Sequence, residues 1–546
     1  MMFRNIIIFF CIFFKFDVQQ ISAQAFSLSD SLRGSMRKER EYDVKHYDLR
    51  VKIDVDKKSI SGSNEMAIQA LTDLSEIQID LFENLKVLKI TRNKKDLKFR
   101  RLHQAIFVQC NLANKEEAKI KVEYEGIPIA AKNAPWDGGF VWSKDKKNKP
   151  WVGVACEGVG ASLWWPNKDH LSDEPDSMDI RITVPKTMKA ISNGLLTSTE
   201  PAGKFQTFHY HVSYSINNYN VTFYAGDYVS FQEQHTYPGG AKLTLNYHIL
   251  EGNQDKAKAH FAQVPKVLNA FNHYLGPYPF LRDGYALVEA PYVGMEHQSA
   301  IAYGNGYQNG YFGRKTPENF DYDYVILHET GHEYFGNSVS CKDHAEMWIH
   351  ESFTTYLENL FVEFYHGKKA GLEYLQEQRK MIKNDRAILG PKEVNFQDHS
   401  TDIYYKGAWV LQTLRHSINN DSLWFDILKE FYNQHKYGFA ETKDFIQLVN
   451  AKTKKDYTVF FRQYLIFKAV PRLVYSVTQR DQFTQIKYKW ECDEPDFDLP
   501  VEFILDGRKI RLDPEMDWKN IEFSKLFNKV EPNTSTILVD AIKRKE

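Results

Sequence analysis

The chain has 546 residues, of which 43% are hydrophobic and 14% aromatic, and its formal net charge is −1. This length and hydrophobic fraction are typical of a globular protein with three or four domains and more than one core. The near-zero charge excludes the strongly basic field that would indicate nucleic acid as a partner.

The first residues have the pattern of a secretory leader. Arg4 precedes an apolar run, Ile6 to Phe14, that is too short to cross a bilayer. Ser22-Ala23-Gln24-Ala25 then offers small residues for signal peptidase. These features predict a signal peptide over residues 1–25 and an exported protein, periplasmic or secreted, without stable membrane insertion. A short membrane-anchoring helix is the alternative interpretation.

The next part of the chain predicts strands. Tyr47 to Val55 alternates apolar and polar side chains, which is the period of a half-buried strand. Residues 118–124 and 180–184 repeat the pattern, and Pro185 ends the second of them. Short strands separated by turns predict an antiparallel β-sheet domain over residues 26–225.

From about residue 255 the apolar period becomes helical. Helices are predicted over 321–335, 348–366, 406–418, 423–435, 442–452 and 456–468. After Pro471 alternation returns, and residues 501–512 predict a hairpin around Asp506-Gly507. We therefore expect a mostly α domain over residues 226–470 and a small β module over residues 471–546.

His328-Glu329-Thr330-Gly331-His332 has the pattern HExxH. On a helix, residues four apart share a face, so both imidazoles can bind one zinc ion while Glu329 activates a water. The alternative, a surface helix with two solvated histidines, fits poorly because the preceding Val325-Ile326-Leu327 is apolar. The pattern predicts a catalytic zinc site with His328 and His332 as ligands.

A catalytic zinc site needs a third protein ligand and one open position. Glu351 follows His332 after an interval of eighteen residues and lies in a second helical pattern. It is the predicted third ligand, and one zinc ion per chain is expected. Glu346 is a candidate for a hydrogen bond to a ligand histidine. The five cysteines form no CxxC pair, which argues against a cysteine zinc site. One disulfide is compatible with export, but no pairing can be chosen.

These motifs resemble the aminopeptidase N and leukotriene hydrolase family of gluzincin metallopeptidases. Gly294-Met295-Glu296-His297 is similar to the family's exopeptidase motif, and Tyr404-Tyr405-Lys406-Gly407 to its Tyr-x-Lys-Gly segment. Both occur in the family's order around HExxH. Four positions depart from the usual residue: Val293, His297, Glu333 and His350.

The resemblance implies a multidomain α+β fold, with an N-terminal antiparallel β-sheet domain, a thermolysin-like and mostly α catalytic domain, and a small C-terminal β domain. It also implies an aminopeptidase that acts on peptides with a free N terminus. Glu296, and Glu157 in Cys156-Glu157-Gly158, would bind the substrate amine, and Gly294 and Met295 would line its site. Tyr404 would stabilise the oxyanion, with Tyr405 as the alternative if the register differs by one residue.

Two other functions fit the same residues. A zinc endopeptidase or lipid-epoxide hydrolase would use the same metal, and a peptide-binding or adhesion protein could keep the scaffold without activity. The complete set of ligands, base and tyrosine counts against an inactive scaffold. Met295 and Tyr292 are candidates to line the pocket for the first substrate side chain, with core packing as the alternative role for both.

Overall fold

The computed structural model describes residues 26–315, 317 and 320–545. The predicted signal peptide lies outside these residues. Within the described ranges, no helix combines the length and apolarity that a bilayer crossing requires. The four described cysteines, Cys110, Cys156, Cys341 and Cys492, are free thiols, so the disulfide compatible with export is absent among them.

The N-terminal part is built of strands, as its alternating pattern predicts. After helix α1 (Leu28–Gly34) come β1 (Tyr42–Asp54), β2 (Ser59–Ala70), β3 (Leu74–Asp80), β4 (Leu85–Arg92), β5 (Lys95–Asp96), β6 (Phe99–Leu102), β7 (Ala105–Leu112), β8 (Glu117–Gly126), β9 (Gly139–Lys144), β10 (Pro150–Ala155), β11 (Ser177–Pro185), β12 (Lys189–Ser192), β13 (Leu195–Ala202), β14 (Phe205–Val212), β15 (Phe223–Gly226), β16 (Tyr228–Thr236) and β17 (Lys242–Leu250).

The large sheet has eight strands in the order β13-β14-β11-β1-β2-β8-β4-β5. Its central strand β1 buries Tyr47, Leu49, Val51 and Ile53, which are the apolar members of the predicted alternation. The sheet is mainly antiparallel, but β1 and β11 are parallel from His46↔Ser177 to Lys52↔Thr183. Two smaller sheets, β12-β15-β10-β9 and β3-β7-β6, contain the other strands as far as β15, whereas β16 and β17 pair with strands of the middle part.

The middle part is mostly helical. Its elements are α2 (Gln254–Phe261), α3 (Val264–Tyr274), β18 (Tyr285–Glu289), β19 (Gly294–Met295), β20 (Ile301–Tyr303), α4 (Tyr324–His332), β21 (Val339–Cys341), α5 (Trp348–His366), α6 (Lys368–Arg379), α7 (Tyr405–Ile418), α8 (Asp421–His435), β22 (Gly438–Ala440), α9 (Thr442–Thr453) and α10 (Thr458–Leu465). The six predicted helices are present as α4, α5 and α7 to α10, with ends shifted by a few residues.

The sequence did not predict β18, β19 and β20, which form a mixed sheet with β16 and β17 in the order β16-β17-β18-β20-β19. Tyr285 to Val288 and Ile301 to Tyr303 are buried without alternation. Strands covered on both faces lose the period of two, so periodicity cannot detect them. This sheet is important for the site because β19 carries the residues just before Glu296.

The C-terminal part consists of β23 (Arg472–Arg480), β24 (Phe483–Glu491), β25 (Val501–Leu505), β26 (Arg508–Leu512), β27 (Lys519–Phe523), β28 (Val530–Pro532) and β29 (Asp540–Lys543). The predicted hairpin is present: β25 pairs with β26, and Leu505 faces Arg508 across the turn. Asp506 and Gly507 both have positive φ, 46° and 86°, as this two-residue turn requires. The domain boundaries at residues 225 and 470 stay a prediction.

Candidate active site

Helix α4 places the imidazole rings of both HExxH histidines side by side. Its first turn is capped by the Asp323 side chain, which accepts a hydrogen bond from Ile326 N over 3.1 Å. His328 and His332 are one turn apart, and their Nε2 atoms are 3.0 Å from each other. The helix is buried along this stretch, which rules out the interpretation of two solvated surface histidines.

Helix α5 brings Glu351 close to these two rings. Its Oε2 lies 3.6 Å from His328 Nε2 and 3.3 Å from His332 Nε2. One potential ligand atom from each of the three residues falls within 4.8 Å of the others. The structure therefore brings together the three side chains that the sequence predicts as zinc ligands.

The hydrogen bonds of the two imidazoles indicate that a cation belongs between them. His328 Nδ1 is 2.7 Å from Glu358 Oε1, and His332 Nδ1 is 3.0 Å from the carbonyl oxygen of Phe335. Because both partners are acceptors, both Nδ1 atoms carry protons, and in the neutral rings the Nε2 lone pairs face each other. Oε2 of Glu351 is also buried without a hydrogen-bond partner. Two imidazole nitrogens and a carboxylate oxygen fit the donor set of a catalytic zinc site.

Glu358, not Glu346, is the carboxylate that orients a ligand histidine. Its Oε2 accepts hydrogen bonds from Tyr374 OH at 2.5 Å and Gln378 Nε2 at 2.8 Å, both on α6. The expectation for Glu346 is wrong, since its Oε2 accepts from Thr442 N at 2.9 Å and its Oε1 pairs with Lys392. One feature of the sequence indicates Glu358: this residue lies two turns after Glu351, on the same face of α5.

Glu329 lies in the cavity beside the ligand histidines. A Cβ on Gly294 would approach Glu329 Oε1 to 2.5 Å, so only glycine at 294 leaves room for this carboxylate. Burial raises the pKa of Glu329 to about 8, a shift that the charge of a bound cation would oppose. Its position next to the ligands suits a general base that acts on a water molecule.

Glu296 follows β19 and faces Glu329. A carboxylate oxygen from each of them and a ring nitrogen of His332 lie within 4.8 Å of one another. Tyr219 OH donates to Glu296 Oε1 over 3.0 Å, and Asn337 Nδ2 donates to the Glu296 carbonyl oxygen over 2.7 Å. The carboxylate is thus held at a fixed place close to the base.

The remaining predicted residues line one cavity of about 670 Å³. Glu157 reaches it from the loop after β10, and Gly294 and Met295 border it from β19. Burial and the nearby Glu296 charge raise the pKa of Glu157 well above its usual value. Tyr292 does not border the cavity: it is buried, with its hydroxyl donating to Val154 O at 3.1 Å, so packing is its role.

Tyr404 and Tyr405 both line the cavity, but they differ in their distance from the ligands. The Tyr404 ring stacks on His328 with centroids 6.0 Å apart. Burial, together with the charge of Glu351, raises the pKa of Tyr404 well above its usual value, which keeps its hydroxyl protonated as a donor. Tyr405 begins α7, and among the carboxylates it is Glu358 that contributes most to raising its pKa. The geometry favours Tyr404 as the residue beside the metal ligands.

Two of the four residues that depart from the family pattern, His350 and Glu333, make hydrogen bonds around this site. His350 Nε2 accepts from Cys341 N over 2.9 Å, so its proton is on Nδ1, which is 3.4 Å from Tyr219 OH. A buried chain of hydrogen bonds therefore leads from His350 through Tyr219 to Glu296. Glu333 accepts from Ser299 N over 2.8 Å. Tyr219 was not singled out from the sequence, because no local motif connects it with a residue 77 positions later.

Comparison with known proteins gives two family matches. The model of the peptidase family M1 domain matches residues 260–464, and that of the peptidase M1 N-terminal domain matches residues 43–219. The first contains the three candidate ligands, Glu329, Glu296 and Tyr404, and the second contains Glu157 and Tyr219.

Curated relatives are distant in sequence. Aminopeptidase M1 of Arabidopsis thaliana is 25% identical over 304 residues, which cover 50% of this chain and 32% of that protein. Aminopeptidase N of Lactobacillus helveticus is 23% identical over 523 residues, which cover 88% of this chain and 58% of that protein. The chain spans less than two thirds of the length of these relatives.

Solved structures share the fold. An M1 zinc metallopeptidase mutant from Deinococcus radiodurans, bound to a Tyr-Ser-Ala substrate, aligns with a TM-score of 0.68 at 20% identity and covers 79% of this chain and 95% of that one. This likeness, with the N-terminal domain match, confirms the predicted fold class: a β-sheet domain, a helical catalytic domain and C-terminal strands.

Proposed function

Peptidase family M1 is the family to which this chain belongs, and on that premise we propose that it is a zinc-dependent aminopeptidase that removes single residues from peptides with a free N terminus. The observation that carries the proposal is the position of Glu296. Its carboxylate lies within 4.8 Å of Glu329 and His332 and at the end of a buried hydrogen-bond chain.

The ligand set of the proposed enzyme is His328, His332 and Glu351, with one zinc ion per chain. These three side chains would hold the zinc ion, which would act as a Lewis acid towards the scissile carbonyl and lower the pKa of a water molecule. Membership of family M1 implies this metal, and the facing Nε2 atoms and the unpartnered Glu351 Oε2 support it independently.

Two side chains carry the proton and charge movements of the proposed reaction. Glu329 accepts the proton of the attacking water and passes a proton to the leaving amine. Tyr404 donates a hydrogen bond to the oxyanion that develops on the carbonyl oxygen. Because burial keeps its hydroxyl protonated, Tyr404 can make this bond throughout the neutral pH range.

Two carboxylates select the substrate. An ammonium group has three donors, and Glu296 and Glu157 offer acceptors for it from opposite parts of the chain. Binding the amine beside Glu329 leaves only the first peptide bond within reach of the metal and the base. An acetylated N terminus offers no charge and would leave both carboxylates desolvated without a partner, which is costly.

The test is to measure the metal content of the purified protein together with its hydrolysis of a fluorogenic amino-acid amide and of Tyr-Ser-Ala. We expect zinc, release of the first residue, and no cleavage of the N-acetylated peptides. Glu296→Ala should retain zinc and lose activity on amides by about 10²-fold or more, since a misplaced substrate reacts slowly. Efficient cleavage of acetylated peptides at internal bonds would identify an endopeptidase instead. Bound zinc without hydrolysis of any peptide would indicate an inactive, peptide-binding scaffold.

We also propose that the protein is exported after cleavage near Ala25. The support is the leader pattern of residues 1–25, which lie outside the described residues.

A further inference from the structure

Helix α1 lies between the two parts of the chain that form the cavity, and it precedes residue 43, where the family match begins. On the sheet side, Gln78 Nε2 donates to Leu32 O over 2.9 Å and Gln104 Nε2 donates to Ser29 O over 2.6 Å. On the catalytic side, Asn395 N donates to Asp30 O over 3.1 Å. The helix is therefore fixed to both parts at once.

Arg33 of α1 holds the loop that carries Glu157. Its Nη2 donates to the carbonyl oxygen of Gly158 over 3.0 Å, and its Nε lies 3.0 Å from Asp169 Oδ2. The side chains of Arg33 and Asp169 are only 4% and 7% exposed. A Cβ on Gly160 would lie 2.1 Å from Nη2, so the absence of a side chain at 160 makes room for the guanidinium.

The Glu157 carboxylate depends on this support because it has none of its own. Among the described residues it receives no hydrogen bond and forms no ion pair, whereas Glu296 accepts a hydrogen bond from Tyr219. The position of this carboxylate is therefore determined by the main chain of Glu157. Arg33 binds the carbonyl oxygen of the following residue, Gly158. Gly158 has a φ of +69°, so this turn has a conformation that few other residues would stabilise.

The same segment also contacts a second loop that lines the cavity next to Gly158: a Cβ on Gly158 would lie 3.6 Å from Gln397 Cγ. Phe396 and Gln397 of this loop line the cavity, and the ring of Phe26 packs edge-on against Phe396 with centroids 6.4 Å apart. A Cβ on Gly34 would lie 2.1 Å from the main chain of Val394, so α1 and this loop are in direct contact. Residues 26–34 thus contact two neighbouring loops that both line the cavity.

We propose that Arg33 is a positioning residue for recognition of the substrate amine. By binding the Gly158 carbonyl it fixes the Glu157 carboxylate at the distance from Glu296 that an ammonium group needs. This inference rests on the proposed function, because it assigns Arg33 a part in binding the amine and none in the chemistry at the metal. It therefore predicts a change in KM with little change in kcat.

Arg33→Lys is the informative variant. A lysine can still pair with Asp169, which protects the fold, but its single nitrogen cannot reproduce the forked contact to both Asp169 and Gly158. We expect KM for an amino-acid amide to rise about tenfold, kcat to stay within about twofold, and the melting temperature to change little. Arg37→Ala is the matched control, since Arg37 in the same segment bonds to Ser31 and Ser35 and should leave KM unchanged.

Two further measurements separate positioning from a general structural effect. In a Glu157→Gln background, Arg33→Lys should add nothing to KM, because residues that act through one another are not additive. Hydrogen exchange should be faster at the amides of Val159 and Gly160, which donate to Glu157 O and Cys156 O, both over 2.7 Å. This second readout needs no activity.

The outcomes distinguish this inference from the proposed function. A wild-type protein that hydrolyses no amide would refute the proposed function, and faster exchange in Arg33→Lys would still support the loop contact. An active wild type with unchanged KM in Arg33→Lys would overturn the role in amine recognition. An equal rise of KM in the Glu157→Gln background would overturn it as well, since the effect would then not act through Glu157.

Discussion

Glu358 Oε1 lies 2.7 Å from His328 Nδ1 and holds the imidazole from the side opposite to the other ligands. The carboxylate is itself fixed by Tyr374 and Gln378, so three residues outside the ligand set determine the orientation of His328. Such partners raise the basicity of a ligand histidine and keep its metal-binding nitrogen deprotonated.

Glu358→Gln should therefore weaken zinc binding by about 10–100-fold, because the neutral amide attracts the Nδ1 proton less strongly. Competition with a chelator that reports free zinc measures this directly. Glu346→Gln is the control, since Glu346 contacts Thr442 and Lys392 instead of a ligand. Equal affinities for the wild type and the Glu358→Gln variant would refute the orienting role.

Glu329→Gln should retain zinc and lose about 10²–10⁴-fold in turnover, because the three ligands remain while the proton acceptor is gone. His328→Ala should lose the metal as well as the activity. Metal analysis and the amide assay on the same preparations separate the two cases. A near-wild-type rate with zinc present would assign the base to another residue.

Tyr404→Phe should lower kcat by about 10²–10³-fold and leave KM almost unchanged, since its hydroxyl acts mainly on the developing oxyanion. The comparison is with Tyr405→Phe, whose ring packs against that of Tyr404 with centroids 6.2 Å apart. Steady-state kinetics on one amide substrate suffice. A loss of kcat in the Tyr405 variant alone would transfer the role to that neighbour.

The contact between Glu174 and Ser340 joins the N-terminal and catalytic parts, and it should make stability depend on pH. Burial raises the pKa of Glu174 from 4.5 to about 8, while Ser340 Oγ donates to its Oε1 over 2.6 Å. A raised pKa means that the folded state holds the Glu174 proton more tightly than the unfolded state does. The stabilisation by this proton is therefore complete below about pH 4.5 and is lost as the pH rises through about 8.

Glu174→Gln removes that titration while keeping an acceptor for Ser340. The free energy of unfolding of the variant minus that of the wild type should therefore be larger at about pH 8.5 than at about pH 5.5. Urea unfolding at both pH values measures the difference. Glu117→Gln, at an exposed position on β8, is the control. The same difference at both pH values would show that Glu174 does not titrate in this range.

The mature protein should begin near Phe26 and occur outside the cytoplasm, because residues 1–25 have the pattern of a cleaved leader. N-terminal sequencing of protein from its native host, after fractionation, tests this. Protein that starts at Met1 in the soluble cytosolic fraction would contradict it.

The sequence could predict which side chains meet wherever a single helix determines their spacing. His328, Glu329 and His332 follow from the geometry of one helix, and Glu351 from a second helix with a clear apolar stripe. Glu358 and Tyr219 could not be found in this way. The contact of Glu358 with His328 depends on how α5 packs against α4. The contact of Tyr219 with Glu296 depends on how the N-terminal part packs against the catalytic part. Neither packing arrangement produces a local period in the sequence.

The same limit applies to the fold. Half-buried strands such as β1 keep an alternating pattern, and the turn at Asp506-Gly507 has its own residue preference, so both could be predicted. β18 and β20 are covered on both faces, and α6 buries few side chains, so neither has a distinctive period. The contact between α1 and the Gly158 loop cannot be predicted from the sequence of α1, because Arg33 and its partner are 125 residues apart.

The position of Glu157 has a consequence for how this protein can diversify. The metal ligands, the base and Tyr404 all come from residues 328–404, whereas Glu157 and the arginine behind it come from before residue 160. In the proposed enzyme, mutations around Glu157 would therefore change which amines are accepted without replacing any metal ligand. Conversely, substitutions that leave residues 328–404 unchanged should leave the proposed metal ligands, base and oxyanion donor in place.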